Sequence, residues 1–204
     1  MAADQRALRR IVVASGNPGK LREIRAIVAP LGIEVVPQSE LGVAEAEEPH
    51  LTFVENALAK ARHASRCTGL PALADDSGIC VAALRGAPGV HSARFAGEPR
   101  SDERNNALLV ERLVREADRR AHYCCVMVLV RHPDDPQPCI GEGEWHGEVI
   151  LQPRGRGGFG YDPYFLVPGE GLTAAELDPA RKNAISHRAI ALERLFAQLG
   201  PADA

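Results

Sequence analysis

The sequence has few aromatic residues and no excess of basic charge. Aromatic residues make up 4% of the chain, with a single tryptophan, so we expect a mainly aliphatic core. The formal net charge is −3, whereas proteins that bind nucleic acid usually carry a basic excess to neutralise phosphates. Nucleic acid is therefore not an expected partner. A small phosphorylated ligand remains possible, because it needs only a local cluster of donors and cations.

Long apolar runs and paired cysteines are also lacking. No run approaches the ~20 apolar residues of a membrane-spanning helix, and MAADQRALRR at the start has no apolar segment of a signal peptide. The five cysteines are odd in number and form no CxxC pair, which disfavours a zinc site or a secreted disulfide framework. We therefore expect a cytoplasmic protein with no membrane partner.

The composition that is present is typical of a globular protein. Hydrophobic residues make up 45% and charged residues 25% of 204 residues, which predicts one domain spanning residues 1–204. Arg10–Ala14 is predicted to form a buried strand, followed by a turn, a helix that Pro30 ends, and a second strand over Ile33–Pro37. This β-turn-α-β unit favours parallel pairing and an α/β fold.

The remaining elements follow from caps and apolar patterns. Thr52 and Glu55 have the spacing of a capping box, which predicts a helix to about Thr68 with Gly69 as its stop. Asp75–Gly78 is predicted to be a turn between two short apolar strands. Three further predictions are a helix after Ser101, strands over His122–Arg131 and within Pro138–Gln152, and a last helix with Ser186 as N-cap.

Ser15-Gly16-Asn17-Pro18-Gly19-Lys20 is the first segment that could carry chemistry. A glycine-containing turn between a strand and a helix leaves backbone N–H groups unpaired at the start of the helix, and these can bind phosphate oxygens. Lys20 would add a positive charge, and Ser15 and Asn17 would add side-chain donors. The GxxxxGK[ST] spacing of a Walker A loop is absent. The alternative is a turn that merely connects the strand to the helix.

Two acidic segments form a second candidate group. Mg²⁺ binds one or two carboxylates, keeps water ligands and bridges substrate phosphates. Carboxylates from Glu45–Glu48 and from Asp75-Asp76 could supply such a pair. The alternatives are a solvated acidic surface for the first segment and turn-forming aspartates for the second.

The third candidate group combines FGYDP at 159–163 with Lys182, His187 and Arg188. Cations at the start of a helix oppose the helix dipole, so this basic pair indicates an external partner with acceptor groups, unless nearby acids such as Glu193 compensate it. Phe159 could anchor a small core or stack on a base. No GxSxG motif is present, and neither Ser15 nor Ser77 has a histidine at a recognisable triad spacing.

Six motifs in this order resemble the inosine triphosphate pyrophosphatase family: SGNPGK, EPHLTFVENALAKA, ADDSG, GAPGVHSARFAG, GGFGYDP and SHRAIAL. The resemblance runs from about Ile11 to Leu199. It implies an elongated α/β fold, with a central mixed β-sheet flanked by helices and two lobes with a cleft between them. It also implies a homodimer, Mg²⁺ dependence, and hydrolysis of ITP, dITP or XTP to the monophosphate and pyrophosphate, which cleanses the nucleotide pool.

The same resemblance implies roles for individual residues. Asp76 would be the catalytic base and a metal ligand, and Glu48 would be the second metal ligand. The substrate-binding residues would be Ser15, Gly16, Asn17, Pro18, Gly19 and Lys20 for the triphosphate, Ser77 beside the base, and Phe159, Gly160, Tyr161, Asp162, Lys182, His187 and Arg188 for the purine and ribose. The chain departs from the family pattern after Glu48, where Pro49 and His50 replace a segment that often contains glycine.

Two other functions compete with this one. A Maf-like pyrophosphatase would act on dTTP, UTP or modified nucleotides. A non-catalytic nucleotide-binding module would hold the triphosphate through SGNPGK without turnover. Asp76 and the acidic segment before Thr52 argue against the module, because binding alone has no use for a catalytic base.

Overall fold

The computed structural model describes residues 8–199 and contains one seven-stranded sheet. Its strands are β1 (Arg10–Ala14), β2 (Glu34–Pro37), β3 (Ala72–Val81), β4 (Arg120–Val130), β5 (Cys139–Val149), β6 (Phe165–Val167) and β7 (Leu172–Thr173). The order across the sheet is β2-β1-β3-β4-β5-β6-β7. β1 pairs in parallel with β2 and β3, whereas β6 is antiparallel to β5 and β7. The predicted β-turn-α-β unit and the mixed α/β sheet are confirmed.

Five α-helices accompany the sheet in the described part of the chain: α1 (Pro18–Val28), α2 (Phe53–Thr68), α3 (Asp102–Leu113), α4 (Pro179–Ile185) and α5 (His187–Phe196). Thr52 Oγ1 accepts the N–H of Glu55, and Gly69 ends α2 with φ 69°. Ser101 caps α3 through the N–H of Arg104. The starts of both helices were thus predictable from their caps.

The prediction of a turn at Asp75–Gly78 is wrong. These residues lie inside β3, which continues without a break from Ala72 to Val81. Asp75 and Asp76 are both buried. Aspartate is rare inside strands because a buried carboxylate is costly without partners. Here each carboxylate has partners, and these come from distant parts of the sequence.

The described residues divide into two compact units. The first contains residues 8–76, 125–143 and 188–199, and the second contains residues 77–124 and 144–187. The first unit has an aliphatic core that includes Ile11, Leu73 and Leu192. The core of the second unit contains most of the large aromatic side chains, such as Trp145 and Phe165. The single domain and the cleft expected from the sequence stay predictions.

Within residues 8–199, no helix is both long enough and apolar enough to cross a membrane.

Candidate functional site

Asp76 lies in a buried hydrogen-bonded group on β3 of the first unit. Its Oδ1 accepts from Lys60 Nζ at 2.9 Å, and its Oδ2 accepts from Asn56 Nδ2 at 3.2 Å. Lys60 Nζ also donates to Glu48 Oε1 at 2.8 Å. A single ammonium group therefore joins the two carboxylates that were predicted as metal ligands.

The side chain of Asn56 fixes the backbone that follows Glu48. Its Oδ1 accepts the N–H of His50 at 3.0 Å, and its Nδ2 donates to the carbonyl of His50 at 3.3 Å. One asparagine therefore bonds both polar groups of the His50 backbone, in the segment where Pro49 and His50 depart from the family pattern.

Glu48 is distinct from the neighbouring acids. Among Glu45, Glu47 and Glu48, all within the described residues, only Glu48 forms an ion pair. The alternative of a wholly solvated acidic surface therefore fails at Glu48.

The surroundings of Asp76 favour its neutral form. Burial raises the pKa of Asp76 above its usual value, the nearby Glu48 carboxylate adds to this, and Lys60 and Lys20 oppose it without cancelling it. Burial would lower the pKa of Lys60, but Asp76 and Glu48 outweigh burial and raise it. Lys60 therefore stays charged, and Asp76 is a stronger base than an ordinary aspartate.

Asp75 has different partners, because neighbouring residues in a strand point to opposite faces of the sheet. Its Oδ1 pairs with Lys20, and its Oδ2 accepts from Arg188 Nε at 3.1 Å and Nη2 at 3.0 Å. The Cys125 thiol donates to the same Oδ2 at 3.2 Å. Burial would raise the pKa of Asp75, but Arg188 and then Lys20 lower it well below its usual range. Asp75 is therefore a permanent anion that holds two cations.

Arg188 is 1% exposed and is also bonded to Glu23 on α1. Acids therefore compensate Arg188, as the alternative to an external partner expected, but these acids are Asp75 and Glu23 and not Glu193. The role of Arg188 at the purine stays a prediction.

The turn at 15–20 is capped by its own asparagine. Asn17 Oδ1 accepts the N–H groups of Gly19 at 2.8 Å and Lys20 at 3.1 Å, and Ser15 Oγ accepts the N–H of Asn17 at 3.2 Å. The expectation that this helix start leaves its N–H groups unpaired is therefore wrong for Gly19 and Lys20. An asparagine N-cap satisfies the first N–H groups of a helix, so a phosphate here would have to displace its side chain or use other donors.

The second unit brings the FGYDP loop together with Lys182. Asp162 Oδ2 pairs with Lys182 Nζ and accepts the N–H of Phe159 at 2.9 Å. Lys182 Nζ lies 5.1 Å from the centre of the Phe159 ring, within the range of a cation–π contact. Gly158 has φ 73°, and a Cβ there would lie 2.0 Å from Asp162 Oδ2. Only glycine lets the loop approach this carboxylate.

The loop is further fixed by α3 and by Tyr161. Asp102 Oδ2 accepts the N–H of Gly160 at 2.8 Å, and Asn106 Nδ2 donates to the carbonyl of Gly160 at 3.0 Å. The hydroxyl of Tyr161 donates to the carbonyl of Ser92 at 2.7 Å. The Phe159–Asp162 segment is thus held at several points.

His187 and Ser77 also belong to the second unit. His187 is buried and stacks on Tyr123, and Ser77 is half-buried on β3. The two units therefore contain different sets of predicted site residues. The first unit contains the candidate residues for phosphate binding, for metal binding and for proton abstraction, together with Arg188. The second unit contains the other candidate residues for purine binding.

Sequence reasoning missed Lys60 and Asn56. Both lie on the buried face of α2 that also carries Ala57, Ala61 and Ala64. Two polar residues four positions apart on an otherwise small and apolar helix face are a usable signal, because they must find buried partners.

The donors available suit a hard divalent cation. Glu48 and Asp76 offer only carboxylate oxygens and already converge on one positive charge. No group of three or more His, Cys, Asp or Glu side chains in the described residues is arranged to hold a metal. Mg²⁺ needs only one or two protein carboxylates when substrate phosphates complete its shell, so the pair fits this ion.

The fold is that of an α/β protein with an open mixed sheet. Its first unit carries two carboxylates bonded to one lysine, and its second unit carries a glycine-rich loop around an aspartate–lysine pair. Each is a candidate group for binding a phosphorylated ligand. More narrowly, the chain belongs to the Ham1 family, whose model matches residues 11–198. The family resemblance inferred from the six motifs is thereby confirmed.

Named relatives match along nearly the whole chain. A protein of Burkholderia pseudomallei named dITP/XTP pyrophosphatase is 66% identical over 202 residues, which is 98% of this chain and 97% of the relative. A Ralstonia nicotianae protein of the same name is 68% identical over 195 residues, which is 94% of this chain and 97% of the relative.

Solved structures agree with the fold. A HAM1 protein from Coxiella burnetii matches with a TM-score of 0.86 and 50% identity, covering 93% of this chain and 98% of that chain. The Ham1 protein of Staphylococcus aureus matches with a TM-score of 0.82 and 40% identity, covering 93% of this chain and 97% of that chain.

Proposed function

We propose that this protein is a nucleoside triphosphate pyrophosphohydrolase that removes ITP, dITP and XTP from the nucleotide pool. The family membership and the relatives named dITP/XTP pyrophosphatase support this function. The structural observation that carries it is the buried Asp76, which Lys60 joins to Glu48. A purely binding module would have no use for a desolvated carboxylate of raised pKa.

Asp76 acts as the general base. It takes a proton from a water molecule whose oxygen forms a new bond to the α-phosphorus. The bond from the α-phosphorus to the oxygen bridging to the β-phosphate breaks, and pyrophosphate leaves with the electron pair. Lys60 and Asn56 hold the carboxylate by one oxygen each, which fixes its orientation.

Glu48 and Asp76 are the residues that would hold Mg²⁺. When bound, the ion would neutralise phosphate charge and polarise the reacting phosphoryl group. Lys60 keeps the two carboxylates close when no other cation balances them, because it is bonded to both.

Lys20 and the turn at 15–20 bind the triphosphate. Asp75 holds the Lys20 ammonium at the start of α1, and an ammonium with three donors can contact a phosphate while it keeps this partner. The charge of Lys20 stabilises the departing pyrophosphate, whose negative charge grows in the transition state.

The second unit recognises the purine through Phe159, Lys182 and His187. Hypoxanthine and xanthine present an acceptor oxygen at C6, where adenine presents an amino donor. Lys182 can donate to that oxygen, whereas the adenine amino group would leave it facing another donor. Phe159, which already lies against Lys182, supplies a ring on which the base stacks.

A nucleotide panel tests this function. The purified protein is incubated with ITP, dITP, XTP, ATP, GTP, dTTP and UTP, with Mg²⁺ or with EDTA, and pyrophosphate is measured. We expect pyrophosphate from the first three, and its loss in EDTA and in an Asp76→Asn variant prepared in parallel. Preference for dTTP or UTP would indicate a Maf-like enzyme, and no pyrophosphate from any nucleotide would indicate a binding module.

The homodimer and the cytoplasmic location also belong to this proposal. An enzyme that cleanses the nucleotide pool acts where nucleoside triphosphates are made and used, which is the cytoplasm. Light scattering after size exclusion should give about twice the 21.9 kDa of one chain. A mass of one chain would contradict the homodimer.

A further inference from the structure

Four buried rings form an aromatic cluster in the second unit: Tyr123 on β4, Trp145 on β5, Phe165 on β6 and His187 at the start of α5. The chain has only one tryptophan and three tyrosines. Its tryptophan and one tyrosine are therefore placed beside the same histidine. This concentration is notable in a chain whose aromatic residues are so few.

Two rings of the aromatic cluster, those of Tyr123 and Trp145, lie nearly parallel to the imidazole of His187. The centres of Tyr123 and His187 are 4.7 Å apart with an angle of 9° between their planes. Trp145 lies 6.3 Å from His187 at 16°. Phe165 instead meets Tyr123 at 60° and Trp145 at 53°. Phe165 therefore contacts both of these rings at a steep angle and is not part of the parallel stack.

A parallel stack fixes the plane of an imidazole. The torsion that turns a histidine ring has broad minima, so a ring without neighbours can direct its N–H over a wide arc. Stacking between aromatic rings adds stabilisation beyond area burial, and this favours one ring plane. The direction of a hydrogen bond from His187 is then set by Tyr123 and Trp145.

The hydroxyl of Tyr123 makes a weaker contribution than its ring. It donates to Asp162 Oδ1 at 3.3 Å, which is long for a bond between two oxygens. Asp162 is already held by Lys182 and by the N–H of Phe159. Loss of the hydroxyl should therefore disturb Asp162 little, whereas loss of the ring should free His187.

We propose that Tyr123 and Trp145 are positioning residues for purine recognition, which hold the plane of His187 so that its ring can bond the base. This inference rests on the proposed function, because it takes His187 as a purine contact. It adds two residues that act through His187 and do not themselves touch the substrate.

The test compares Tyr123→Leu with Tyr123→Phe. Tyr123→Leu should lower kcat/KM for ITP about five- to twentyfold, mainly through KM, and change kcat/KM for ATP less than twofold. Tyr123→Phe should stay within about twofold of the unchanged protein for both substrates, because the ring remains. Phe95→Leu is the matched control, because Phe95 is partly buried and packs on the same core. The ratio of kcat/KM for ITP to kcat/KM for ATP, called the ITP/ATP ratio, should not change in this variant.

A double-mutant cycle separates positioning from stability. In a His187→Ala background, Tyr123→Leu should lower the ITP/ATP ratio no further, because its effect passes through the missing imidazole. NMR gives a second readout: the His187 ring protons should shift when Tyr123 becomes Leu and stay in place when it becomes Phe. Should Tyr123→Leu fail to fold, Trp145→Leu should shift the ratio and the ring protons in the same direction by less.

The outcomes distinguish this inference from the proposed function. If the unchanged protein hydrolyses ITP but Tyr123→Leu lowers ITP and ATP hydrolysis by the same factor, the rings stabilise the core without positioning His187. The inference is then overturned. The same holds if the effect persists undiminished without His187. If the unchanged protein releases no pyrophosphate from ITP, the proposed function fails, and the inference fails with it.

Discussion

At the scale of single residues, Asp75 and Asp76 are consecutive yet have opposite pKa shifts. Arg188 and Lys20 outweigh burial and lower the pKa of Asp75, whereas burial dominates at Asp76 and raises its pKa. One carboxylate is therefore suited to hold cations and the other to accept a proton. This division of roles is the pattern expected where paired acids differ in their environments.

Replacing Asp76 with Asn should abolish turnover and leave nucleotide binding within about tenfold, because the catalytic base is lost while the size of the side chain is kept.

Metal-free Asp76→Asn should also be at least as stable as the unchanged protein at pH 7. A carboxyl whose pKa is raised by folding stabilises the protein below its ordinary pKa of 3.8 and loses that contribution as pH rises through the folded value. The advantage of Asn should shrink as pH is lowered. Pyrophosphate release and thermal unfolding in EDTA measure both effects.

Substantial turnover by Asp76→Asn would remove this residue from the role of base. Marked destabilisation at pH 7 in EDTA would show instead that Lys60 depends on the Asp76 charge more than burial disfavours it.

Lys60→Gln should make the protein depend on a divalent cation for stability. The change removes the ammonium that joins Glu48 to Asp76 and leaves two carboxylates close together without compensation. We expect a lower melting temperature in EDTA and a larger gain on adding Mg²⁺ than the unchanged protein shows. Lys182→Gln, which removes a buried lysine paired with Asp162 in the second unit, is the control. An equal Mg²⁺ gain in both variants would contradict the proposed metal ligands.

At the scale of elements, caps were predictable and β3 was not. The starts of α2 and α3 depend on residues three positions apart, Thr52 with Glu55 and Ser101 with Arg104. β3 contains two aspartates that local preference assigns to a turn. The partners that make a strand possible there, Lys20, Lys60 and Arg188, lie far away in sequence. Compensation of charge by distant residues leaves no pattern within β3 itself that could identify the strand.

The segment between β4 and β5 should owe its acid sensitivity to Asp135. The buried carboxylate accepts from Arg131 through Nε at 2.9 Å, Nη2 at 2.8 Å and the backbone N–H at 3.0 Å, and from the N–H of Gln137 at 2.9 Å. Hydrogen bonds from Arg131 lower the pKa of Asp135 well below its usual range. A lowered pKa stabilises the fold above the unfolded value, and this contribution is lost as pH falls below about 4.

Asp135→Asn should therefore lower the free energy of unfolding at pH 7 by about 1–3 kcal/mol, and the difference should shrink toward pH 3. Urea unfolding at several pH values gives the measurement. Asp134→Asn is the neighbouring control, since this side chain is 86% exposed and pairs with Arg66 at 3.6 Å; it should change stability by less than about 0.5 kcal/mol. A pH-independent loss in Asp135→Asn would contradict the role of its charge.

At the scale of the whole molecule, motif order gave the family, and the contacts inside each unit had to come from the structure. The six motifs span about Ile11 to Leu199, close to the 11–198 of the family match. They contain the residues of both units but say nothing of the pairing of Arg188 with Asp75 and Glu23. The basic pair at the helix start predicted an external partner with acceptor groups, and compensation by acids was the alternative. For Arg188 the structure supplies two acids from other elements.

Arg188→Ala tests whether this arginine holds the first unit together, reads the purine, or does both. Removing it leaves Asp75 buried with one cation fewer, which should cost about 3–5 kcal/mol of stability, as for other broken buried ion pairs. Adding Asp75→Asn should recover part of that loss, because the uncompensated charge is then gone.

If Arg188 also bonds the oxopurine, Arg188→Ala should lower kcat/KM for ITP and XTP by one or two factors of ten, about 1–3 kcal/mol for a bidentate contact. It should lower kcat/KM for ATP by a smaller factor. If kcat/KM falls by the same factor for ITP and ATP, Arg188 does not contact the purine. Its role is then to hold Asp75, and with it Lys20, in place.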